Sequence, residues 1–354
     1  MEPPDLSLRE TRKLVKPFWH FFGMQALGDS QGTAYEEYDR AAMYADHAAS
    51  PRGDYSELPK FTGQVLRRLD RQMLARHGQG RGEDYRPWIH IRRSLKARRS
   101  RHCLTHLPLR ARSFHLLSKL ESNIALAVGW LGAGEIREGL PAWPIEHASP
   151  ARGWDASLDA KLGTVPGLLE IARNAGIDHG EYPGTQVPFV ATIDIVAVLP
   201  PLPPHKLLFV GCKPSSELLN NPRALERLEL ERLYAQACGG VHAIAHEKTF
   251  DEKLIENLQW IVPRHSDLQR LQSTSILDDF SGEFLRCAAE LPIAEARNVA
   301  AARVGGKEDP ETLLRASLWT RRIDADLTRE IIRSRPLVRC GERIVRSCLA
   351  KLLK

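Results

Sequence analysis

With 354 residues, 43% apolar and 27% charged, the chain has the size and composition of a two-domain globular protein, which excludes a largely disordered polypeptide. No run approaches the roughly 20 apolar residues of a membrane span, and no basic n-region precedes an apolar stretch at Met1 to Leu8. The net charge of +6 is segregated: residues 1–80 sum to zero, 81–120 to +9, 121–260 to −7 and 261–354 to +4.

A soluble, cytoplasmic chain is expected. Its six cysteines are scattered without a CxxC pair, which fits a reducing compartment better than a disulfide scaffold or a zinc ribbon. Residues 1–76 form an N-terminal extension with an aromatic knot (Phe18, Trp19, Phe21, Phe22) and a helix from Thr62 to Ala75. A Gly-rich turn at Gly78, Gly80 and Gly82 leads to Trp88. Then Arg92, Arg93, Lys96, Arg98, Arg99 and Arg101 crowd into ten positions. Such a cluster suits a polyanion, because guanidinium groups pair with phosphates and release counterions; a solvated basic face is the alternative.

Next come a helix from Leu116 to Leu131 and an extended stretch at Glu135-Ile136-Arg137-Glu138. Val187 to Leu199 and Lys206 to Lys213 have strand composition and flank Pro200-Pro201-Leu202-Pro203-Pro204, so an antiparallel hairpin is expected. A helix starting at Asn221-Pro222 and running to Ala237 follows, then a short third strand from Val241 to Ala245. The composition turns helical beyond Pro263, which places domain limits at 1–76, 77–261 and 262–354.

Three residues carry unusual chemistry. A hairpin centred between Pro203 and Pro204 sets Asp194 opposite Lys213, within about 5 Å between β-carbons. Asp194 interrupts an apolar strand, where an unpartnered carboxylate is costly. Glu121 falls inside the apolar stripe of Leu117, Leu120, Ile124 and Val128. Two inward carboxylates and a lysine make either a hard-oxygen site for Mg²⁺ or an internal ion pair.

The order helical Glu, strand Asp, then Lys on the next strand is that of the PD-(D/E)XK nucleases. The flanking words are similar to those of TnsA-like endonuclease subunits of heteromeric cut-and-paste transposons. They are Gly80-Arg81-Gly82-Glu83-Asp84-Tyr85-Arg86-Pro87-Trp88, His115-Leu116-Leu117-Ser118-Lys119-Leu120-Glu121, and Glu135-Ile136-Arg137-Glu138-Gly139-Leu140-Pro141. Cys212-Lys213-Pro214, Leu225 through Tyr234, and Glu256-Asn257-Leu258-Gln259-Trp260 complete the set, in order, over residues 76–261.

The resemblance implies an α/β fold: a restriction-endonuclease-like mixed sheet flanked by helices, with a smaller, mainly helical, winged-helix-like C-terminal domain. It implies a metal-dependent DNA endonuclease, a hydrolase acting in transposition and DNA recombination. Glu121, Asp194 and Lys213 would be catalytic, and Glu121, Asp194 and the Cys212 carbonyl would hold Mg²⁺, with Mn²⁺ able to substitute. The implied partners are double-stranded DNA at the transposon ends, an RNase H-like transposase and a regulatory AAA+ ATPase, with no membrane. Its place would be the bacterial cytoplasm, at the nucleoid when active. Arginines and lysine 92–101 would grip the DNA backbone.

One position departs from the superfamily pattern. Gly211 stands where a Glu or Gln precedes the lysine by two, and Glu226 or Glu229 on the next helix are the candidates to replace that group. A scaffold subunit weakened in catalysis, a stand-alone restriction or repair nuclease, and a winged-helix regulator are the competing readings. Other signals are weak. His102, Cys103 and His106 lack a fourth zinc ligand, Gly129, Gly132 and Gly134 follow no strand, and the Cys212 thiol suits the core.

Overall fold

The computed structural model describes residues 59–91, 103–305 and 307–353. The basic cluster Arg92, Arg93, Lys96, Arg98, Arg99 and Arg101, the aromatic knot and His102 lie outside the described residues. Helix α1 (Lys60–Leu74) turns Leu66, Leu69 and Met73 inward at helical spacing. They pack with Trp88, Trp143, Val187 and Val190, so this helix shares a core with the chain that follows it.

Strands β1 (Cys103–Thr105) and β2 (Phe114–Leu116) form an antiparallel ribbon. Helix α2 (Lys119–Trp130) is shorter than expected at its start because Leu116 belongs to β2 and Ser118 is the N-cap. The chain continues through β3 (Glu135–Ala142), β4 (His147–Ala148), the short α3 (Ala156–Asp159), β5 (Thr164–Val165) and α4 (Leu168–Ala175). Then follow β6 (Ala191–Val198), β7 (Leu208–Cys212), α5 (Ser215–Asn220), α6 (Pro222–Ala237), β8 (Val241–Ala245) and α7 (Glu252–Ile261). Asn221 caps α6 by accepting the Ala224 N–H, with Pro222 in the first turn, as its sequence suggests.

The main sheet has the order β3-β6-β7-β8. Strand β6 is antiparallel to β3 and β7, whereas β8 runs parallel to β7 across the α5–α6 crossover. The pleat sorts the side chains. Ile195, Ala197, Leu208 and Val210 share a core with Ile124 and Val128 of α2 and with Leu254 and Leu258 of α7. Val196, Val198, Leu207 and Phe209 pack instead with Leu168 of α4 and Tyr234 of α6. The architecture is mixed α/β, a mixed sheet flanked by helices.

After Ala245 the described residues form helices only: α7, then α8 (His265–Gln272), α9 (Ile276–Cys287), α10 (Ile293–Val304), α11 (Pro310–Trp319) and α12 (Gly341–Leu352). No strand pair that could serve as a wing occurs there among the described residues. Phe280, Phe284, Ala300 and Leu314 join the core that contains α2 and α7. No helix of the described residues is long and apolar enough to cross a membrane.

The hairpin register corrects the expected pairing. Ile195 pairs with Val210, which places Gly211, not Lys213, opposite Asp194. The cause lies in the connection: it closes with two turns, Leu202 N–H to Leu199 O and Lys206 N–H to Pro203 O, rather than one turn centred on Pro203-Pro204. A shift of two residues preserves the side-chain face, so Asp194 and Lys213 meet diagonally.

Buried charge fastens the start of this fold to β3. The Arg112 guanidinium donates to both oxygens of Glu138 at 2.8 Å and to the Ile136 carbonyl at 2.9 Å. Glu138 is fully buried and also accepts the His115 N–H at 3.0 Å. Arg81 pairs with Glu135, which accepts the Gly82 N–H as well, and Glu83 accepts the amides of Ala111 and Arg112. Arg110 donates to the carbonyls of Leu109 and Gly134. Three of the cations in the +9 segment, Arg81, Arg110 and Arg112, therefore hold internal structure.

His147 is buried between the Ile145 carbonyl and the Tyr234 hydroxyl, each 2.8 Å from a ring nitrogen. Burial pushes its imidazole down from 6.5 to about 4. Because the unfolded chain takes up that proton first, the associated stability is complete above pH 6.5 and is lost as pH falls towards 4. The loss is expected to reach roughly 3 kcal/mol. Urea titrations of the wild type and His147→Gln at neutral and mildly acidic pH check this, the variant showing the flatter dependence.

Candidate active site

The sheet opens where Asp194 stands. The β6–β7 ladder stops at Ile195–Val210, although β6 starts at Ala191 and β7 runs to Cys212. Continuing the two registers puts Gly139 of β3 and Gly211 of β7 on either side of Asp194. Gly139 has a left-handed φ of 55°, which glycine adopts without the cost of a β-carbon. With no side chain at either cross-strand position, the carboxylate has room to turn into the opening.

There Asp194 Oδ2 accepts the Cys212 N–H at 2.7 Å and the Lys213 ammonium at 3.0 Å. Lys213 Nζ also donates to the Cys212 carbonyl at 3.1 Å. Burial works against the ammonium, but the charges of Asp194 and Glu231 outweigh it and hold Lys213 above its ordinary value. The Cys212 thiol is pushed well up by burial and then by Asp194 and Glu121, so it remains a protonated core group.

Glu121 is placed by the N-terminus of α2. Its Oε2 accepts the Leu117 N–H at 2.8 Å and its Oε1 the Ser118 hydroxyl at 2.9 Å, while Ser118 Oγ accepts the Glu121 N–H at 3.1 Å. This is a variant of the capping box, Ser118-Lys119-Leu120-Glu121, in which the glutamate takes the Leu117 amide instead of the cap's own, a local reason for an inward glutamate that its spacing announces. Burial, and then the like charge of Asp194, raise its carboxyl to about 7.

The structure also brings in a group that sequence reasoning missed. A β-carbon added to Gly211 would stand 2.6 Å from Glu231 Oε2 and 2.6 Å from Leu228 Cδ2. Glu231 of α6 thus fills the space left by Gly211. Its Oε2 is buried without a hydrogen bond and lies 3.8 Å from His242 Nε2. Glu226 and Glu229 do not play this part: they pair with Arg223 and Arg232 at the surface. Gly211→Ala is expected to cost roughly 1–3 kcal/mol and to displace Glu231. Thermal unfolding decides it, and an unchanged midpoint would contradict this placement.

No three His, Cys, Asp or Glu side chains among the described residues form a ready-made metal cluster. The donor set nevertheless suits a hard divalent cation. Burial and then the like charge of Asp194 raise Glu121, and Glu231 adds an orphaned carboxylate oxygen close by. One ammonium faces three carboxylates, an excess of negative charge that a cation relieves.

A mixed α/β sheet whose central strands carry a carboxylate and a lysine at one opening is the class that this geometry defines. No protein-family model matches the chain. Over 194 residues the chain is 29% identical to the Transposon Tn7 transposition protein TnsA of Escherichia coli. That match covers 54% of this chain and 61% of that protein, so the chain spans less than two thirds of the relative's length. The similarity is to a TnsA-like transposition protein.

Proposed function

We propose that the chain is a transposon-end DNA endonuclease subunit that hydrolyses a phosphodiester bond in the 5′ strand, leaving a 3′-hydroxyl and a 5′-phosphate. The observation that carries this reading is the Asp194–Lys213 pair, 3.0 Å apart at the sheet opening, with Glu121 electrostatically coupled to it. The similarity to a transposition protein supports the same assignment. In this proposal residues 77–261 form a restriction-endonuclease-like domain, and residues 262–354 a smaller helical one.

Glu121, Asp194 and the Cys212 carbonyl would hold Mg²⁺ or Mn²⁺. A bound ion of this kind polarises the scissile phosphate and lowers the pKa of an attacking water. Lys213, steadied by Asp194 and the Cys212 carbonyl, orients that water and offers its ammonium to the charge developing on phosphate. Glu231 closes the side of the site that Gly211 leaves open. Arg92, Arg93, Lys96, Arg98, Arg99 and Arg101 would grip the DNA backbone, fixing register without reading bases. An RNase H-like transposase would process the other strand, with a AAA+ ATPase as regulator.

A second reading, a scaffold subunit without cleavage, draws on the capping box, which gives Glu121 structural employment. Strand cleavage of transposon-end DNA with Mg²⁺ or Mn²⁺, assayed with and without the partner transposase, separates the two. Lys213→Ala is expected to lower cleavage by roughly 100-fold or more. Cleavage unaffected by that change would overturn the active-site assignment.

A further inference from the structure

Away from the sheet opening, α2 ends against the C-terminal helices and leaves a cavity of about 490 Å³. That volume is within the roughly 300–1,000 Å³ of small-molecule sites. Trp130, at the end of α2, and Arg321, just after α11, both line it, together with Leu318, Ile323, Leu327 and Val345.

The Trp130 indole N–H has no acceptor, and Arg321 has one. Trp130 is 2% exposed and its indole N–H makes no hydrogen bond. A buried donor left in this way costs about 1–3 kcal/mol unless a partner arrives. Arg321 donates one N–H to the Leu131 carbonyl at 2.8 Å and forms no ion pair among the described residues. The C-terminal end of α2 suits its positive charge, yet the rest of the guanidinium fork has no acceptor there.

The backbone is shaped around this arginine. Arg321 itself has a φ of 59°, a left-handed conformation that is uncommon for a side chain of its size. Gly132 opposite has a φ of 98°, and a β-carbon added to it would lie 2.9 Å from Arg321 Nη2. The left-handed turn at Arg321 closes α11, with the Arg321 N–H bonded to the Leu318 carbonyl and the Arg322 N–H to the Ser317 carbonyl, and it fixes where the guanidinium leaves the backbone.

The acids at the mouth do not supply the missing counter-charge. Asp324 accepts the amides of Cys340 and Glu342 and faces Arg339, and Glu342 is paired with Arg346. They do set the valence of an incoming anion, because their charges disfavour a dianionic phosphate more than a monoanion. A planar carboxylate matches the guanidinium fork, and the aliphatic wall matches an apolar body behind it. We propose that this cavity binds a small monocarboxylate with an apolar body, its carboxylate received by the Arg321 guanidinium and its body seated against the wall that includes Trp130. The site is separate from the one proposed for DNA cleavage.

Benzoate is a suitable probe for the full chain. The ¹H–¹⁵N signal of the Trp130 indole, assigned with Trp130→Phe, is expected to shift saturably on titration, and benzamide should bind at least about tenfold more weakly. Arg321→Gln should abolish the shift, and Arg321→Lys, which keeps the charge without the fork, should weaken it and decides the matter if the glutamine variant does not fold. The proposal is overturned by an unshifted Trp130 signal, by acetate or inorganic phosphate matching benzoate, or by equal affinity in the wild type and Arg321→Lys.

Discussion

Asp194→Asn is expected to lower metal-dependent strand cleavage by at least roughly a thousandfold. At pH 8 it should barely move the melting temperature. The activity loss follows from the proposed roles, since one substitution removes a cation ligand and the counter-charge that positions Lys213. The modest stability effect follows from opposing changes. Lys213 loses its carboxylate partner, but Glu121 loses the like charge that helps to raise it to about 7.

The sign of the pH dependence is fixed by Glu121. Its folded value lies above the ordinary 4.5, so the protonated form is the one that folding favours. The associated stability is complete below 4.5 and lost as pH rises through about 7. Asp194→Asn relieves part of that loss at pH 8. At pH 5.5 Glu121 of the wild type already carries its proton, so the variant keeps only the penalty at Lys213 and should melt lower than the wild type. Melting curves at the two pH values, run beside the cleavage assay, test both halves. Equal destabilisation at both would remove Asp194 as a source of the Glu121 shift.

Arg112→Ala is expected to destabilise the fold by roughly 3–5 kcal/mol, because it strands a buried carboxylate. The Glu138 side chain is 1% exposed, and without Arg112 it keeps the His115 amide among the partners described above. The same guanidinium lies over the Phe114 ring at 4.0 Å and the Tyr85 ring at 5.1 Å, so packing is lost as well. The double variant Arg112→Met with Glu138→Leu should recover much of the loss, since apolar pairs of similar volume commonly replace buried ion pairs. Denaturant unfolding of the two singles and the double gives the coupling directly. A single-variant loss under about 1 kcal/mol would place Glu138 in contact with water.

Much of the site was legible because it broke a pattern. A charge in the run Ala191 to Val196 and a glutamate in the stripe of α2 are each expensive without a partner, and both lie at the opening. The capping box was equally legible, since Ser118 precedes Glu121 by three. Glu231 was missed although its signal was present: Ala224, Leu228, Glu231 and Ala235 form the buried stripe of α6, whereas Glu226 and Glu229 fall outside it. The register was not legible, because a proline-rich connection fixes that a turn exists without fixing how many hydrogen-bonded turns close it. The ion pair Arg112–Glu138 spans 26 residues, and local composition does not set its arginine apart from the other cations of the +9 segment.

The words that carried the resemblance have structural duties here. Arg81, Glu83 and Tyr85 each bond to β3 or to the Arg112 segment, and Trp88 fills the core beneath α1. Such words recur in a family as much for fastening the sheet as for chemistry, which is why they locate a fold more surely than an activity.

Glu121 belongs to two cooperative units at once, the first turn of α2 and the charge cluster at the sheet opening. Whatever draws its carboxylate towards the cluster slackens its hold on the Leu117 amide, and whatever tightens that hold withdraws charge from the cluster. Helix fraying and ion affinity are thereby thermodynamically linked through a single side chain, so the amide of Leu117 is a natural gauge of occupancy at the site.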